Sequence, residues 1–378
     1  MNELKELFPF SYTVSRMRFR ERLPGIVERW PNAVLEQHTL TDHPDMSIDW
    51  IWAEANQTTE KMLVFTTGEH GVEGIVGSAM LEFFCQKYLP QIDPETTGLL
   101  LVHAICPWGM ANRRRTNANN VDLNRNFVWD PNEIDPEFNP RYRDLDDFLG
   151  TTGKIGPVWL ERLGFLTEYL AELARIGKDE LWAGKILGQY AFPKGIHYGG
   201  TEIQEEVRVL KELYRQAFEA SSKILHLDMH TGYGPRYQMT IVNSPLESKS
   251  SAEFIEELGY PLVAAMTPEE FYEVRGDMID YVYLLRDKEF PETELYATAF
   301  EFGTFGESHW EKFRHMQAMV LENQLTWYGA VSPGIEEKVR KEFLESFSPS
   351  EERWRQKAVA DADHAFAAIL KMTGFVSG

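Results

Sequence analysis

The chain contains 378 residues, of which 43% are hydrophobic and 26% charged, a composition typical of a globular protein with a large buried core. Its 38 basic and 59 acidic residues give a net charge of −21. Such an excess of acid excludes the neutralisation of a nucleic-acid backbone, or binding to an anionic membrane surface, as the main task of the protein.

The cysteines and the apolar stretches both bear on the cellular location. Cys85 and Cys106 lie in apolar segments, which predicts buried free thiols in a reducing compartment rather than a disulfide framework. The longest apolar stretch is far shorter than the roughly 20 residues that cross a bilayer, and the N-terminal segment lacks a signal-peptide core. We therefore expect a soluble cytoplasmic protein with no membrane partner.

The first half of the chain alternates between strand and helix patterns. Short β-rich runs at 62–67 and 99–105 flank a helical pattern at 74–89. This order favours an α/β fold with a largely parallel sheet. The stretch from Trp108 to about Gly150 is polar, and we expect it to be a long functional loop without packed elements.

The second half is predicted to begin with helices and to return to strands. Residues 155–222 have helical character, and Thr201 with Gln204 forms a capping-box pattern before an amphipathic stripe. Further strands are predicted at 223–229, 237–243 and 296–302.

The C-terminal stretch again has a helical pattern, starting near Ser348. No low-complexity linker or repeat divides the chain. We therefore predict one catalytic domain over residues 1–330, with a helical insertion at about 130–222, and a helical extension at 331–378 packed on that domain.

A glycine-rich segment, GEHGVEG, follows the strand that ends at Thr67. Its His70 and Glu73 are three residues apart and can point at one spot. A neutral imidazole and a carboxylate are ligands that suit zinc. A strand-to-helix turn with solvent-facing polar residues is the competing interpretation, because two ligands do not make a metal site.

A third candidate ligand, His230, lies at the end of the apolar strand in the segment HLDMHTG. Alternation along the strand places His226, Asp228 and His230 on one face, with His230 nearest the carboxyl edge where α/β sheets bind ligands. Two histidines and one glutamate leave a coordination position for water, as in catalytic zinc sites. For His226, one repeat deeper, a core position is favoured.

Arginines are concentrated between residues 113 and 125. Arg113, Arg114, Arg115 and Arg125 stand among asparagines, which on an acidic protein indicates a local anion site. A surface loop whose charges are balanced by nearby acidic residues is the alternative.

A single acidic residue, Glu301, lies near the end of the apolar strand at 296–302. Burying this carboxylate would cost several kcal/mol unless the protein uses it. Beside a metal site it would act as a general base with a raised pKa.

The motifs HGVEG, NNVDLNRNF, LDMHTG and FEFGT occur in this order between residues 68 and 304. Together they resemble the zinc metallocarboxypeptidase family, the carboxypeptidase A clan, and most of all its branch of uncharacterised bacterial zinc-peptidase-like proteins. The resemblance implies an α/β fold with a mixed, mostly parallel sheet of about eight strands flanked by helices. It also implies one Zn²⁺ per chain.

The resemblance assigns roles around the metal. It implies that His70, Glu73 and His230 are the zinc ligands and that Glu301 takes a proton from the zinc-bound water. Asp122 resembles the carboxylate that orients the first histidine, a contact that fixes the tautomer and the ring angle.

The resemblance also implies roles on the substrate side. Asn124 and Arg125 resemble the pair that holds the terminal carboxylate of the substrate. Arg115, or else Arg114, resembles the arginine that polarises the scissile carbonyl. Tyr272 is similar in context to the mobile tyrosine of true carboxypeptidases.

These residues predict a zinc-dependent amide or peptide hydrolase acting on a substrate with a free carboxylate, such as a short peptide or an acyl amino acid. A small-molecule deacylase of the aspartoacylase or succinylglutamate desuccinylase type is the alternative within the same chemistry. A non-enzymatic protein that binds zinc or another ligand is a third interpretation, disfavoured because no ligand and no base is lost. The insertion is expected to roof the cleft and to set specificity.

Overall fold

A computed structural model describes residues 2–267, 269–270 and 274–376. Its centre is a sheet with the strand bounds β1 (Val34–Leu40), β2 (His43–Ala53), β3 (Lys61–Thr67), β4 (Thr97–His103), β5 (Lys223–Gly232), β6 (Met239–Asn243), β7 (Val263–Ala265) and β8 (Glu294–Gly303). The strand order is β1-β2-β4-β3-β5-β8-β6-β7. Four of the seven neighbouring pairs are parallel, so the predicted eight-stranded, mixed and mostly parallel sheet is confirmed.

Helices cover both faces of this sheet. Their bounds are α1 (Asn2–Leu7), α2 (Tyr12–Arg20), α3 (Leu23–Val27), α4 (Gly74–Lys87), α5 (Pro107–Asn112), α6 (Pro140–Leu149), α7 (Val158–Ile176), α8 (Lys178–Ile186), α9 (Glu205–Ala220), α10 (Ser251–Leu258), α11 (Met278–Glu289), α12 (His309–Tyr328), α13 (Pro333–Glu345) and α14 (Glu352–Met372). No helix in the described part of the chain is long and apolar enough to cross a membrane.

The central strands are apolar on both faces because both faces are covered. On one face Phe65 of β3 packs against Phe84 of α4 and Phe366 of α14. On the other face Val64 belongs to a cluster that includes Leu210 of α9. Parallel strands buried in this way have near-continuous apolar sequences, which is why the sequence identified them.

The C-terminal helix α14 is part of the same core. Trp354 is buried, and its indole nitrogen donates a hydrogen bond to the carbonyl of Gly303, at a distance of 2.8 Å. Since Gly303 ends the strand that carries Glu301, this contact ties the extension to the edge of the sheet. The division of the chain at residue 330 stays a prediction.

Two local predictions are wrong. The polar stretch 108–150 contains most of α5 and all of α6, whose start is capped by the side chain of Asn139 and whose Tyr142 is fully buried. Helix α9 begins after Gln204 without a side-chain cap. The carboxamide oxygen of Gln204 accepts hydrogen bonds from Asn117 instead, at 3.0 Å, and from Asn119, at 2.9 Å.

The two thiols are free, as predicted. Cys106 is buried, whereas Cys85 on α4 is only partly buried. The prediction of two fully buried thiols therefore holds for one of them.

Candidate metal and catalytic site

Three parallel strands bring the candidate residues to one edge of the sheet. His70 lies three residues beyond the end of β3, and His230 lies near the end of β5. Strand β8 pairs with β5 so that Glu301 is directly opposite His230. Because parallel strands end on the same side, residues far apart in sequence meet at this carboxyl edge.

A tight turn places the first two candidates. Residues Gly71–Glu73 form a single turn of 3₁₀-helix that leads into α4. A Cβ atom at Gly71 would lie 2.1 Å from the backbone of Gly109, so only glycine allows the turn to approach α5 this closely. The backbone nitrogens of Gly71 and Val72 donate to the carbonyls of Arg115 and Arg114, at 3.1 and 2.8 Å, which holds the arginine loop beside His70.

Both histidines face one carboxylate. His70 Nδ1 is 2.9 Å from Glu73 Oε1, and His230 Nδ1 is 3.2 Å from Glu73 Oε2. All three side chains are buried. Burial by itself would raise the pKa of Glu73, but His70 and His230 lower that pKa below its ordinary value, so the carboxylate is ionised.

The opposite nitrogen of each imidazole is held by a further carboxylate. His70 Nε2 lies 2.9 Å from Asp122 Oδ1, and His230 Nε2 is paired with Asp228. Carboxylates that bind Nε2–H in this way leave the Nδ1 lone pairs directed toward Glu73. Nδ1 of His70 is buried, and within the described residues its approach to Glu73 lacks the geometry of a hydrogen bond. Two imidazole nitrogens turned toward an ionised carboxylate are a donor set that fits Zn²⁺ once each Nδ1 is unprotonated.

Glu69 is a site residue that the sequence analysis missed. Donor atoms of Glu69, His70 and His230 lie within 4.8 Å of one another, and Glu69 Oε2 is 3.4 Å from His230 Nε2. Neither of its carboxyl oxygens accepts a hydrogen bond, and burial raises its pKa well above the ordinary value. Glu69 faces the nitrogen that Asp228 occupies, whereas Glu73 faces both Nδ1 atoms, so the geometry favours Glu73 as the third ligand.

Glu301 is buried beside this cluster. Its Oε1 accepts a hydrogen bond from the backbone nitrogen of Tyr233, at a distance of 2.9 Å. Burial, followed by the nearby charge of Glu73, raises the pKa of Glu301 to about 8. A carboxylate with a raised pKa next to a metal site has the property expected of a general base.

The side chains of the consecutive residues Arg114 and Arg115 point in different directions. Arg115 donates from Nε to Asp122 Oδ2, at 3.0 Å, and from Nη1 to Glu73 Oε1, at 3.1 Å. Arg114 points away and donates to Glu322 of α12, at 3.1 Å. Of these two candidates for polarising a carbonyl, Arg115 is the one that lines the site.

Of the two residues predicted to bind the substrate carboxylate, Asn124 and Arg125, only the first lines the site. Asn124 lines the site, where its Nδ2 donates to Asp277 Oδ2 and its Oδ1 accepts from the Met278 nitrogen, both at 2.9 Å. Arg125 is buried, and its guanidinium donates to backbone carbonyl oxygens of Asn124, at 2.7 Å, and of Ile186, at 2.8 Å. Tyr272 lies outside the described residues.

The insertion reaches the site. His197, at 1% exposure, places its Nδ1 3.0 Å from Asp122 Oδ2, so Asp122 contacts both this histidine and His70. Tyr190 donates a hydrogen bond from its hydroxyl to the carbonyl of Arg125, at a distance of 2.7 Å. Neither role could be assigned from the sequence, because the segments HYGG and GQY carry no spacing that points to the metal site.

The site encloses a small cavity. The space open to water in it is about 20 Å³, enough for one water molecule. Its polar lining consists of Glu69, His70, Glu73, Arg115, Asn124, Asp228, His230, Thr231, Tyr233, Asp277 and Glu301. Ile279 is among its apolar lining residues.

Sheet and site together define an α/β protein with a buried set of donors for a divalent metal at the carboxyl edge of the sheet. The chain belongs to the family described as "Protein of unknown function (DUF2817)", whose model matches residues 8–361. Among curated proteins, none matches it.

Three solved structures illustrate its structural similarities. Thrombin-activatable fibrinolysis inhibitor is 14% identical with a TM-score of 0.47, over 96% of this chain and 74% of the other. Carboxypeptidase A from Helicoverpa armigera is 14% identical with a TM-score of 0.42, over 91% and 72%. A metallo-carboxypeptidase from Burkholderia cenocepacia is 10% identical with a TM-score of 0.42, over 94% and 68%.

Proposed function

We propose that the protein is a zinc-dependent amide or peptide hydrolase whose substrate carries a free carboxylate, as in a short peptide or an acyl amino acid. One observation carries the proposal. His70 and His230 both turn Nδ1 toward Glu73, their Nε2 atoms are held by Asp122 and Asp228, and Glu301 lies opposite His230.

The balance of charge supports a cation at this place. Six acidic side chains are buried around the cavity, namely Glu69, Glu73, Asp122, Asp228, Asp277 and Glu301. Arg115 forms ion pairs with Glu73 and Asp122, whereas the other four carboxyl groups have no arginine ion-pair partner among the described residues. Buried carboxylates are costly without compensation, and a divalent ion supplies it. Zinc bound to His70, Glu73 and His230 would polarise a water molecule and the scissile carbonyl.

The side chains of the site account for the remaining steps. Glu301, held through Oε1 by the Tyr233 nitrogen, takes the proton of the attacking water on its other oxygen and passes it to the leaving amine. The Arg115 guanidinium stabilises the negative charge that develops on the carbonyl oxygen. Asp122 and Asp228 keep the imidazole rings oriented through both steps.

The substitution Glu301→Gln tests the proposal. It is expected to lower kcat by about 10²–10⁴-fold while the zinc content stays at one ion per chain, because the amide keeps the shape but cannot take the proton. The control is Glu294→Gln, the same change at the exposed start of β8, which should leave kcat unchanged. Hydrolysis retained by zinc-loaded Glu301→Gln would refute this role.

A deacylase of small acyl amino acids is the second candidate. The small space open to water at the site, about 20 Å³, favours it, because a small substrate needs less rearrangement than a peptide. A panel of N-acyl amino acids and of peptides with free or amidated C-termini separates the two. Turnover of the acyl amino acids alone would support the deacylase.

We also propose a cellular location for the protein. The net charge of −21 and the free cysteines support a cytoplasmic location without nucleic-acid or membrane partners. Fractionation of cells expressing the tagged protein tests the location.

A further inference from the structure

A buried lysine lies behind the site, and none of the described carboxylates forms an ion pair with it. Lys185, in the last turn of α8, has no solvent exposure. Its Nζ donates to the hydroxyl of Tyr233, at 3.3 Å, and lies 4.8 Å from the ring centre of Trp182. Within the described residues no carboxylate forms an ion pair with it, and its nearest charged neighbours include Arg115 and Arg125. Burying an amine among other cations is costly unless an anion arrives from outside.

Tyr233 connects this lysine to the catalytic cavity. The residue lines the cavity of Glu301, and it also lines a neighbouring cavity of about 130 Å³. The flanking Gly232 and Gly234 line this second cavity too. Lys185 is therefore one hydrogen bond away from the wall between the catalytic residues and a space that can hold a substrate group.

The second cavity contains further unused polar groups. His315 of α12 is buried and lines the cavity, and neither of its ring nitrogens forms a hydrogen bond with a residue in the described ranges. Lys312 lines the cavity beside it. Two acidic residues, Glu270 and Glu307, also line it, and Glu270 already accepts a hydrogen bond from the Ala265 nitrogen, at 2.9 Å.

Arg125 holds the end of α8 in place. Its Nη2 donates to the carbonyl of Ile186, the residue after Lys185, and its Nη1 to the carbonyl of Asn124. A Cβ atom at Gly188 would lie 2.6 Å from Arg125 Cδ, so the glycine allows the chain to pass directly over the arginine. With two of its nitrogens engaged by backbone oxygens, Arg125 is placed to position α8.

We propose that the free carboxylate of the substrate enters the second cavity, where His315 contacts it and the buried Lys185 balances its charge through the Tyr233 hydroxyl, and that Arg125 is a positioning residue for Lys185. The inference rests on the proposed function for the identity of the ligand. It assigns recognition of the substrate carboxylate to a residue of the insertion and not to Asn124 and Arg125. The ligand class is a carboxylate next to the scissile amide, as in acyl amino acids and peptides. Its charge would compensate the buried amine.

Binding to the inactive enzyme tests this without requiring turnover. Zinc-loaded Glu301→Gln is titrated calorimetrically with N-acetyl amino acids bearing apolar, acidic or basic side chains, and with the carboxamide of each. The free acid is expected to bind at least about tenfold more tightly than the carboxamide in at least one pair. Adding Lys185→Met should abolish that preference and Lys185→Arg should keep most of it. The control Lys178→Met, on the exposed start of the same helix, should not change it.

Two results would overturn the proposal. One is a preference for the free acid that survives in Lys185→Met, and the other is no preference in any pair before Lys185 is changed. If the wild type hydrolyses nothing but the preference depends on Lys185, the proposed hydrolysis fails and the subsite stands. If amides are hydrolysed and Lys185→Met raises KM equally for acids and carboxamides, the hydrolase stands and the subsite fails.

The role of Arg125 is tested by combining substitutions. Arg125→Met is expected to lower affinity for the free acid about as much as Lys185→Met, and the double variant should be no weaker than either single variant, because both changes remove one interaction. Losses that add up would show that Arg125 contacts the ligand itself, and unchanged affinity in Arg125→Met would remove its positioning role.

Discussion

Tyr233 lies between two walls of buried side chains, one on the side of the metal site and one on the side of the second cavity, and the two walls carry charge in opposite ways. At the sheet edge, Glu73, Asp122 and Asp228 converge on two imidazoles and one arginine, so this wall lacks positive charge. On the wall from the insertion and α12, Lys185 forms no ion pair with a described carboxylate and His315 forms no hydrogen bond with a described residue, although Glu270 and Glu307 also line the second cavity. The two buried groups of this wall therefore lack a negative partner.

This difference in charge suits the two walls to different tasks: the first to the chemical step and the second to recognition of the substrate. A metal ion would balance the first wall and is the group that polarises water. An anionic substrate would balance the second wall. Each wall can be altered while the other stays intact, and the expected effects decrease in the order that follows.

The largest expected effect is on zinc affinity, when either Glu73 or Glu69 of the first wall is substituted. Glu73→Gln should lower zinc affinity by about a thousandfold or more, because it removes the ionised donor that faces both Nδ1 atoms. Glu69→Gln, the matched change four residues earlier, should keep one zinc per chain. Metal analysis after dialysis against a competing chelator measures both, and the reverse ranking would identify Glu69 as the ligand.

A smaller effect, on stability, is expected at the second wall. Burial, with the charges of Arg115 and Arg125, lowers the pKa of Lys185 to about 7, whereas an unfolded lysine titrates near 10.4. Between these values the unfolded chain binds a proton that the folded chain does not, so the lysine's contribution improves from pH 7 to pH 10 and is least favourable below pH 7. Lys185→Met should therefore raise the free energy of unfolding by roughly 2–4 kcal/mol at pH 6 and progressively less toward pH 10.

Urea unfolding at pH 6, 8 and 10 measures this dependence. The exposed Lys178→Met should change the free energy of unfolding by less than about 0.5 kcal/mol at each pH. A constant difference between Lys185→Met and the wild type across the three values would show that the amine is not buried as a charge.

The smallest effect is expected for the carboxylates behind the histidines. Asp122→Asn and Asp228→Asn should each weaken zinc binding by about 10–100-fold, since an amide still holds the ring but no longer strengthens the ligand. Competition with a chromophoric chelator measures the affinities. Because Asp122 also contacts His197 and Arg115, its substitution should be the more damaging, and equal losses would mean that these extra contacts do not matter.

The sequence located most of the sheet and the first wall of the site. The predicted strands at 62–67, 99–105, 223–229 and 296–302 coincide with β3, β4, β5 and β8 because parallel strands covered on both faces need continuous apolar runs. The antiparallel pair β1 and β2 was missed, because half-buried edge strands such as Val34–Leu40 are mostly polar.

In the site, too, some contacts could not be predicted from the sequence. Asp228 was placed on the face of His230 but its contact with Nε2 was not foreseen, and Glu69 was overlooked although it adjoins His70. Arg125 was expected to hold substrate because of its neighbours in sequence. Its direction is decided by the carbonyl of Ile186, 61 residues later.

The amino-acid sequence by itself determined the four central parallel strands β3, β4, β5 and β8 and that two histidines and an acidic residue stand near their carboxyl ends, because hydrophobic period and strand polarity are local properties. Only the tertiary structure decided which nitrogen of each imidazole points inward, which arginine faces the cavity and that Lys185 lies behind Tyr233. Those outcomes depend on hydrogen bonds and burial contributed by segments remote in the chain, and no spacing in the sequence encodes them.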